Sequence, residues 1–238
     1  TGEAVQDAVT AETNIGTRSA LVLVRPGHYS EAVRIAQTCT IIGFGPRQKV
    51  VVEAPGWESP LVFVKGNAHV SNLTIRCRIM EMRGKCVYIP TGRVVIERCS
   101  IEGGVHACGG STAPHVHGCE VTTSPGNGLH FSDCCRGRIS GCVVSGHKGH
   151  GILVDRGALP CIVGNVIREN RGVGIRILLG ERGASSRAPA PTEAPGEVGE
   201  NDVSTNAGGD RSFGGHFADD QEPSEDEDAM EELPDLFG

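Results

Sequence analysis

The feature that most restricts the fold of this chain is an internal repeat of about 23 residues. Five segments share one pattern, in which an apolar residue is followed by Leu, Cys or Asn three positions later and by a second apolar residue five positions later. They are residues 70–75, 96–101, 116–121, 139–144 and 162–167. A second short strand pattern follows four of them, beginning at Gly104, Gly128, Gly151 and Gly174. This length, with two short strands per repeat, predicts parallel strands stacked about 4.8 Å apart.

The chain is therefore predicted to be all-β, a single-stranded right-handed parallel β-helix. Earlier alternating segments extend the solenoid toward the N-terminus, with turns such as Pro26-Gly27 and Pro55-Gly56 between them. Aromatic residues make up only 4% of the chain, so small aliphatic side chains must fill the core. Leucine-rich repeats have a similar length, but their Leu-rich consensus is absent.

The repeat divides the chain into parts. Residues 1–17 precede it and are predicted to be disordered or to cap the solenoid, which spans 18–217. Residues 183–198 are rich in Ala, Pro, Gly, Ser and Glu, which predicts a disordered insertion. Residues 218–238 contain ten acidic residues and no Lys or Arg, which predicts a solvated acidic tail on a mildly basic body.

Stacking the repeats places the fourth residue of the pattern in one inward column, the structural ladder. It contains Leu73, Cys99, Cys119, Cys142 and Asn165. Buried Cys packs as a small hydrophobe, and stacked Asn side chains can pair their amides along the column. Three successive cysteines leave no natural disulfide pairing, which favours free thiols and a reducing compartment.

One motif points to glycoside hydrolysis. Gly149-His150-Gly151, with Arg176 one turn later, resembles the Gly-His-Gly and Arg-x-Lys elements of the polygalacturonases. Those enzymes need paired carboxylates, whereas near the preceding turn we expect Asp133 to stand alone. The other acids are scattered at unequal phases, so a calcium-binding lyase site is not expected either. The sequence thus predicts a protein that is not an enzyme and carries no cofactor.

A second group of residues is of the types that zinc prefers, namely His106, Cys108, His115, His117 and Cys119. Their spacing matches no established finger or knuckle. We expect His117 to face outward and Cys119 inward, so these two cannot share a metal. No metal site is predicted.

Two surface features are candidate contacts for a protein partner. The first is a basic face formed by Arg76, Arg78, Arg93, Arg98, Arg136 and Arg138, for which a plain solvated surface is the alternative. The second is the acidic tail, where Leu233, Leu236 and Phe237 form a candidate docking motif, with a solubilising role as the alternative.

Two other classes of partner are not expected. No aromatic residues are interleaved with the arginines to stack on bases, which argues against nucleic acid. No apolar run approaches the roughly 18–20 residues that a membrane span needs. The first residues also lack the character of a signal peptide.

Three segments carry a resemblance to a known family: Leu23-Val24-Arg25-Pro26-Gly27-His28-Tyr29, Ile41-Ile42-Gly43-Phe44-Gly45 and Gly208-Gly209-Asp210-Arg211-Ser212-Phe213-Gly214. Together with the repeat, they resemble the pectin-lyase-like β-helix domain of the Shc-binding protein / Nessun Dorma family over roughly residues 18–217. F-box proteins with β-helices have similar turns and are the second choice, although no F-box is visible in this sequence.

The resemblance implies a cytoplasmic, non-enzymatic scaffold or adaptor in cell division. It would act at the spindle midzone and midbody, with the centralspindlin complex as its protein partner. The same type of domain has been linked to carbohydrate binding. The alternatives are therefore a carbohydrate-binding or carbohydrate-active protein, or the substrate-recognition part of an F-box ubiquitin ligase.

Overall fold

The computed structural model describes residues 5–13, 20–56, 58–77, 85–178 and 197–213. The chain coils as a right-handed parallel β-helix, and each coil adds one strand to each of three parallel sheets. In the middle of the solenoid, Val116, Ile139 and Ile162 lie in register, so one coil takes 23 residues. The predicted fold class is confirmed.

The strands are numbered in chain order, and every third strand belongs to the same sheet until the last coil. The first sheet contains β1 (Ala20–Val24), β4 (Cys39–Gly43), β7 (Ala68–Ser71), β10 (Val94–Glu97), β13 (His115–His117), β16 (Arg136–Ser140) and β19 (Leu159–Val163). The second sheet contains β2 (Gly27–Ser30), β5 (Val50–Ala54), β8 (Thr74–Cys77), β11 (Ser100–Glu102), β14 (Glu120–Thr122), β17 (Val143–Ser145), β20 (Val166–Arg168) and β22 (Asp202–Ser204). The third sheet contains β3 (Val33–Ile35), β6 (Leu61–Phe63), β9 (Lys85–Ile89), β12 (Gly104–Cys108), β15 (Leu129–Ser132), β18 (Ile152–Val154), β21 (Ile175–Ile177) and β23 (Arg211–Phe213).

Each coil contains three strands, whereas the sequence pattern predicted two. Residues 96–101, taken as one strand, bend in the middle, because Glu97 ends β10 and Ser100 begins β11. Arg98 lies between them with a φ of 52°. The equivalent residue of other coils is of a type that tolerates positive φ: Asn72, Gly118, Gly141 and Gly164. The chain thus turns a sharp corner from the first sheet to the second.

The ladder residues occupy the position directly after this corner residue. All five lie in the interior, none more than 2% exposed: Leu73, Cys99, Cys119, Cys142 and Asn165. Around them, aliphatic side chains from the three sheets form one continuous core. Each fully buried Val, Leu or Ile contributes about 1.5–3 kcal/mol relative to an exposed one.

A helix covers the N-terminal end of this core. Helix α1 (Val5–Thr13) buries Val5 and Val9 against the first coils. The Glu31 carboxylate accepts hydrogen bonds from the backbone N–H groups of Val5 and Gln6, both at 2.8 Å. Residues 1–17 were predicted either to be disordered or to cap the solenoid. Their described part, 5–13, caps it. No helix in the described ranges is long and apolar enough to span a bilayer.

Two further features complete the described structure. A short 3₁₀ helix, Arg47–Lys49, leads into β5. In the last coil Val198 pairs with Ile162 by a single bridge in place of a strand in the first sheet. The predicted insertion, 183–198, lies outside the described residues except for 197 and 198, and the predicted acidic tail, 218–238, lies wholly outside them.

Candidate functional site

The outer face of the third sheet carries ring-bearing side chains in a row. Tyr88, His106 and His130 lie in register on β9, β12 and β15. The rings of His106 and His130 stack, with centroids 4.4 Å apart and planes 5° from parallel. The Tyr88 ring is tilted by 44° at 5.7 Å from His106, and Lys85 Nζ lies 5.0 Å from the Tyr88 centroid. Parallel stacking in register therefore brings together rings from residues far apart in sequence.

Hydrogen bonds join these rings to acidic side chains. His106 Nε2 lies 3.0 Å from Ser132 Oγ, and the Ser132 hydroxyl donates to Asp133 Oδ2 at 2.9 Å. Because that hydroxyl proton points to Asp133, Ser132 Oγ accepts from His106, whose proton is therefore on Nε2. One coil later, His130 Nε2 lies 3.1 Å from Asp155 Oδ2.

We name this group the polar column: Tyr88, His106, His130, Ser132, Asp133 and Asp155. Two of its buried atoms, His106 Nδ1 and Asp155 Oδ1, have no hydrogen-bond partner within the described part of the chain. Both are acceptors. Burial, together with the charges of His130 and Lys85, lowers the pKa of His106 to about 3, so its ring is neutral at pH 7. Neither atom is exposed to solvent, so leaving them unpaired costs stability inside the column.

A second surface, on the first sheet, is apolar. Leu21 and Leu23 point outward from β1 and are 57% and 59% exposed, and Phe44, after β4, is 66% exposed. The backbone N–H of Phe44 donates to the Val24 carbonyl at 2.8 Å, so Phe44 lies beside the end of β1. We name Leu21, Leu23 and Phe44 the apolar patch. Large exposed apolar side chains grouped in this way are typical of interaction surfaces.

A comparison with family models identifies the fold family. The model for the right handed beta helix region matches residues 61–186, more than half of the chain. The chain belongs to the right-handed β-helix family. No curated protein and no solved structure matches it. Membership of the narrower Shc-binding protein / Nessun Dorma family stays a prediction.

In this β-helix, Asp133 joins the polar column, and the expectation that it has no carboxylate partner for catalysis stays a prediction. Asp133 has a φ of 54° and Cys134 a φ of 61°, which turn the chain back so that the Asp133 carboxylate reaches Ser132. Asp155 joins the same polar column through His130. Asp155 comes one period of 23 residues after Ser132, and this interval was the sequence signal for their shared face.

His150 lies in the connection between the second and third sheets, where its contacts join neighbouring coils. Its Nδ1 accepts the backbone N–H of Val173 at 2.8 Å, and its own backbone N–H donates to Asn127 Oδ1 at 2.8 Å. Arg176 is in register with Leu153 on the third sheet. The motif that resembled a hydrolase element therefore connects successive coils.

A second interior column escaped the sequence analysis. His147 is buried, with Nδ1 accepting the Ser124 N–H and Nε2 donating to the Val121 carbonyl, each at 3.0 Å. Asn170 and Asn206 make the same pair of contacts in the following coils. Burial lowers the pKa of His147 to about 4, which keeps the ring neutral. The signal was the interval of 23 residues from Ser124 to His147 and again to Asn170.

The residue types that suggested zinc are distributed over three locations. His106 and Cys108 lie on the outer face of the third sheet, and His115 and His117 on that of the first, with their rings 5.7 Å apart. Cys119 is in the interior, where its thiol donates to the Ile96 carbonyl. Among the residues that the structure describes, no group of three or more His, Cys, Asp or Glu could hold a metal ion.

The arginines of the predicted basic face lie on different sheets. Arg76 is on β8 of the second sheet, where its guanidinium contacts the Glu102 carboxylate through Nε and Nη2. Arg98 is a corner residue, and Arg136 and Arg138 are on β16 of the first sheet. Arg93 precedes β10. Arg78 lies outside the described residues, as do the tail residues Leu233, Leu236 and Phe237.

Proposed function

We propose that this right-handed β-helix is a non-enzymatic scaffold that binds another protein. The exposed apolar patch is the observation that carries the proposal. The backbone that carries Leu21 and Leu23 is held in a regular sheet, because β1 pairs with β4 along all five of its residues. Burying each of them on a partner would contribute about 1.5–3 kcal/mol before the cost of association.

The resemblance to the Shc-binding protein / Nessun Dorma family supplies a candidate partner. On this proposal the chain is a cytoplasmic adaptor of dividing cells, and the centralspindlin complex at the spindle midzone and midbody is bound through the apolar patch. The contacts of the polar column favour binding over catalysis, because the Ser132 hydroxyl donates to Asp133 and is not activated by His106.

The test is an affinity purification from dividing cells, with the full chain as the bait and the recovered centralspindlin subunits as the measured quantity. We expect the Leu21→Ser/Leu23→Ser variant to recover at least tenfold less, with an unchanged circular dichroism spectrum. Val95→Ser is the matched control, because Val95 points outward from β10 on the same sheet. No recovery with the wild type would refute the assignment to cell division. Equal recovery with the patch variant would refute the patch as the contact.

Carbohydrate binding is a second candidate function, favoured by the accessible part of the polar column, where the exposed Asp133 carboxylate lies within electrostatic reach of the half-buried Tyr88 ring. Sugar hydroxyls donate hydrogen bonds, and the C–H faces of sugar rings pack on aromatic side chains such as Tyr88. A few convergent polar groups beside an apolar surface are what small ligand sites use.

Calorimetric titration with a panel of oligosaccharides tests this second candidate. We expect Tyr88→Ser to abolish binding and Leu21→Ser/Leu23→Ser to preserve it, since the patch is on another sheet. Binding that survives Tyr88→Ser, or no binding by the wild type, would refute it. Release of new reducing ends by the wild type would show catalysis instead.

A further inference from the structure

Basic residues outnumber acidic ones in the segments that carry the apolar patch. Residues 20–31 and 39–53 contain Arg25, Arg47 and Lys49, and their two acids are engaged, Glu31 by the N–H groups of Val5 and Gln6 and Glu53 by His28 and Arg76. Arg47 pairs with Glu120 at 2.8 Å, whereas the side chains of Arg25 and Lys49 are exposed. Arg25 follows β1 directly, next to the backbone contact between Val24 and Phe44. The surface therefore suits an occupant that combines apolar and acidic side chains.

The chain contains one segment of that composition. Residues 218–238 hold ten acids and no Lys or Arg. Large apolar residues are concentrated in its last nine positions: Met230, Leu233, Leu236 and Phe237. The segment thus offers apolar side chains that can pack on the patch. It also offers the negative charge that Arg25 and Lys49 attract.

The distances allow the last residues of the acidic segment to reach the apolar patch. The patch is on the first two coils, and β23 ends at Phe213 in the last coil. Seven coil steps of about 4.8 Å separate the ends of the solenoid by roughly 34 Å. The 16 residues from 214 to 229 can span about 50 Å when extended, at about 3.3 Å each. The last nine residues can therefore reach the patch of their own chain.

We infer that residues 230–238 cover the apolar patch in the free protein, with the neighbouring acids facing Arg25 and Lys49. The inference rests on the proposed function, because it concerns how access to the same surface is regulated. A tethered segment acts at an effective concentration of about a millimolar, so even a weak contact would compete with a partner. The C-terminal segment is then an internal competitor that a partner displaces.

Hydrogen–deuterium exchange of the full chain, followed by mass spectrometry, tests the contact directly. We expect amides of residues 230–238 to exchange at least fivefold more slowly in the wild type than in Leu21→Ser/Leu23→Ser. Val95→Ser should leave their protection unchanged. Raising the salt to about 1 M should reduce the protection, because the Debye length falls to about 3 Å.

The reciprocal variant is Leu233→Ser/Leu236→Ser/Phe237→Ser, which keeps every charge of the segment. It should increase the binding of a fluorescent apolar dye, and the added Leu21→Ser/Leu23→Ser substitutions should remove that increase. Free exchange of residues 230–238 in the wild type would overturn the inference. So would protection that survives the patch substitutions, or protection that rises with protein concentration and therefore comes from a second copy.

Failure of the inference and failure of the proposed function are distinguishable. If both hold, the tail variant recovers more centralspindlin than the wild type. Partner recovery without any tail protection overturns the inference alone. Tail protection with no recovery by the tail variant supports the inference and overturns the proposed partner.

Discussion

At the corner between the first and second sheets, a thiol and an amide occupy equivalent positions. The Cys142 thiol donates to the carbonyls of Val116 and Ser140, both at 3.5 Å. Asn201 donates from its amide to the carbonyls of Ile162 and Gly199, which are the equivalent groups two coils later. The corner therefore presents two inward carbonyls in each of these two coils, and Cys142 and Asn201 each donate to both of them.

Cys142 provides an isosteric test of whether this position needs a donor. We expect Cys142→Asn to fold and keep or slightly raise the free energy of unfolding, because an amide N–H is a better donor than a thiol. Cys142→Asp has the same shape but places a carboxylate against two carbonyls, at a cost of several kcal/mol. Urea denaturation compares the two. Equal stability of the Asn and Asp variants would contradict the donor requirement.

His147 should make stability depend on pH. Its pKa is 6.5 in the unfolded chain and about 4 in the fold, so between these values the unfolded state binds the extra proton. The free energy of unfolding should fall as the pH drops from 6.5 to 4, by roughly 1.4 kcal/mol per unit at most for this residue. The His147→Asn variant has at position 147 the residue type found at Asn170. In this variant the free energy of unfolding should depend less steeply on pH across this range. Urea titrations at several pH values measure it, and parallel curves for variant and wild type would be the contrary result.

At the scale of the element, the sequence predicted the stacking but not the number of strands. The 23-residue interval located the inward side chains, because residues one period apart must share a face. It could not show the bend at Arg98, since a corner residue with positive φ leaves the apolar pattern almost intact. The polar column was missed for another reason. In the sequence, His106, Ser132 and Asp155 read as ordinary polar positions at or near strand ends, and only the register between coils brings them together.

The docking of α1 depends on a contact with a distant strand connection. Glu31 receives two N–H groups from the first turn of the helix, where a negative charge also suits the helix dipole. We expect Glu31→Ala to release α1 from the solenoid, with a loss of about 1–2 kcal/mol in local stability. Hydrogen exchange should quicken in residues 5–13 and stay unchanged in the central coils. Glu58→Ala, at an exposed site, is the control. Exchange that rises equally throughout would indicate global unfolding instead.

At the scale of the whole molecule, the solenoid is held by contacts between neighbouring coils, so its stability is a sum along one axis. Its ten cysteines, all within the described ranges and none in a disulfide, are distributed along that axis. Seven are buried: Cys39, Cys77, Cys86, Cys99, Cys119, Cys135 and Cys142. They form a set of internal reporters from the second coil to the sixth.

Pulsed alkylation read by mass spectrometry uses these reporters. In the native protein Cys134, which is exposed, should react first, followed by the partly buried Cys108 and Cys161. Burial raises the pKa of Cys39 to about 11 and that of Cys135 to about 12, and the thiolate is the reactive form, so these two should resist even at pH 8. A hydrogen bond with Cys119 lowers the pKa of Cys99, so this thiol is protected by its complete burial alone. In urea, we expect the buried thiols to react together if the coils unfold as one cooperative unit. Labelling that spreads coil by coil from one end would show instead that each interface between coils opens on its own. Rapid modification of the buried set in native buffer would contradict the continuous interior on which the three sheets depend.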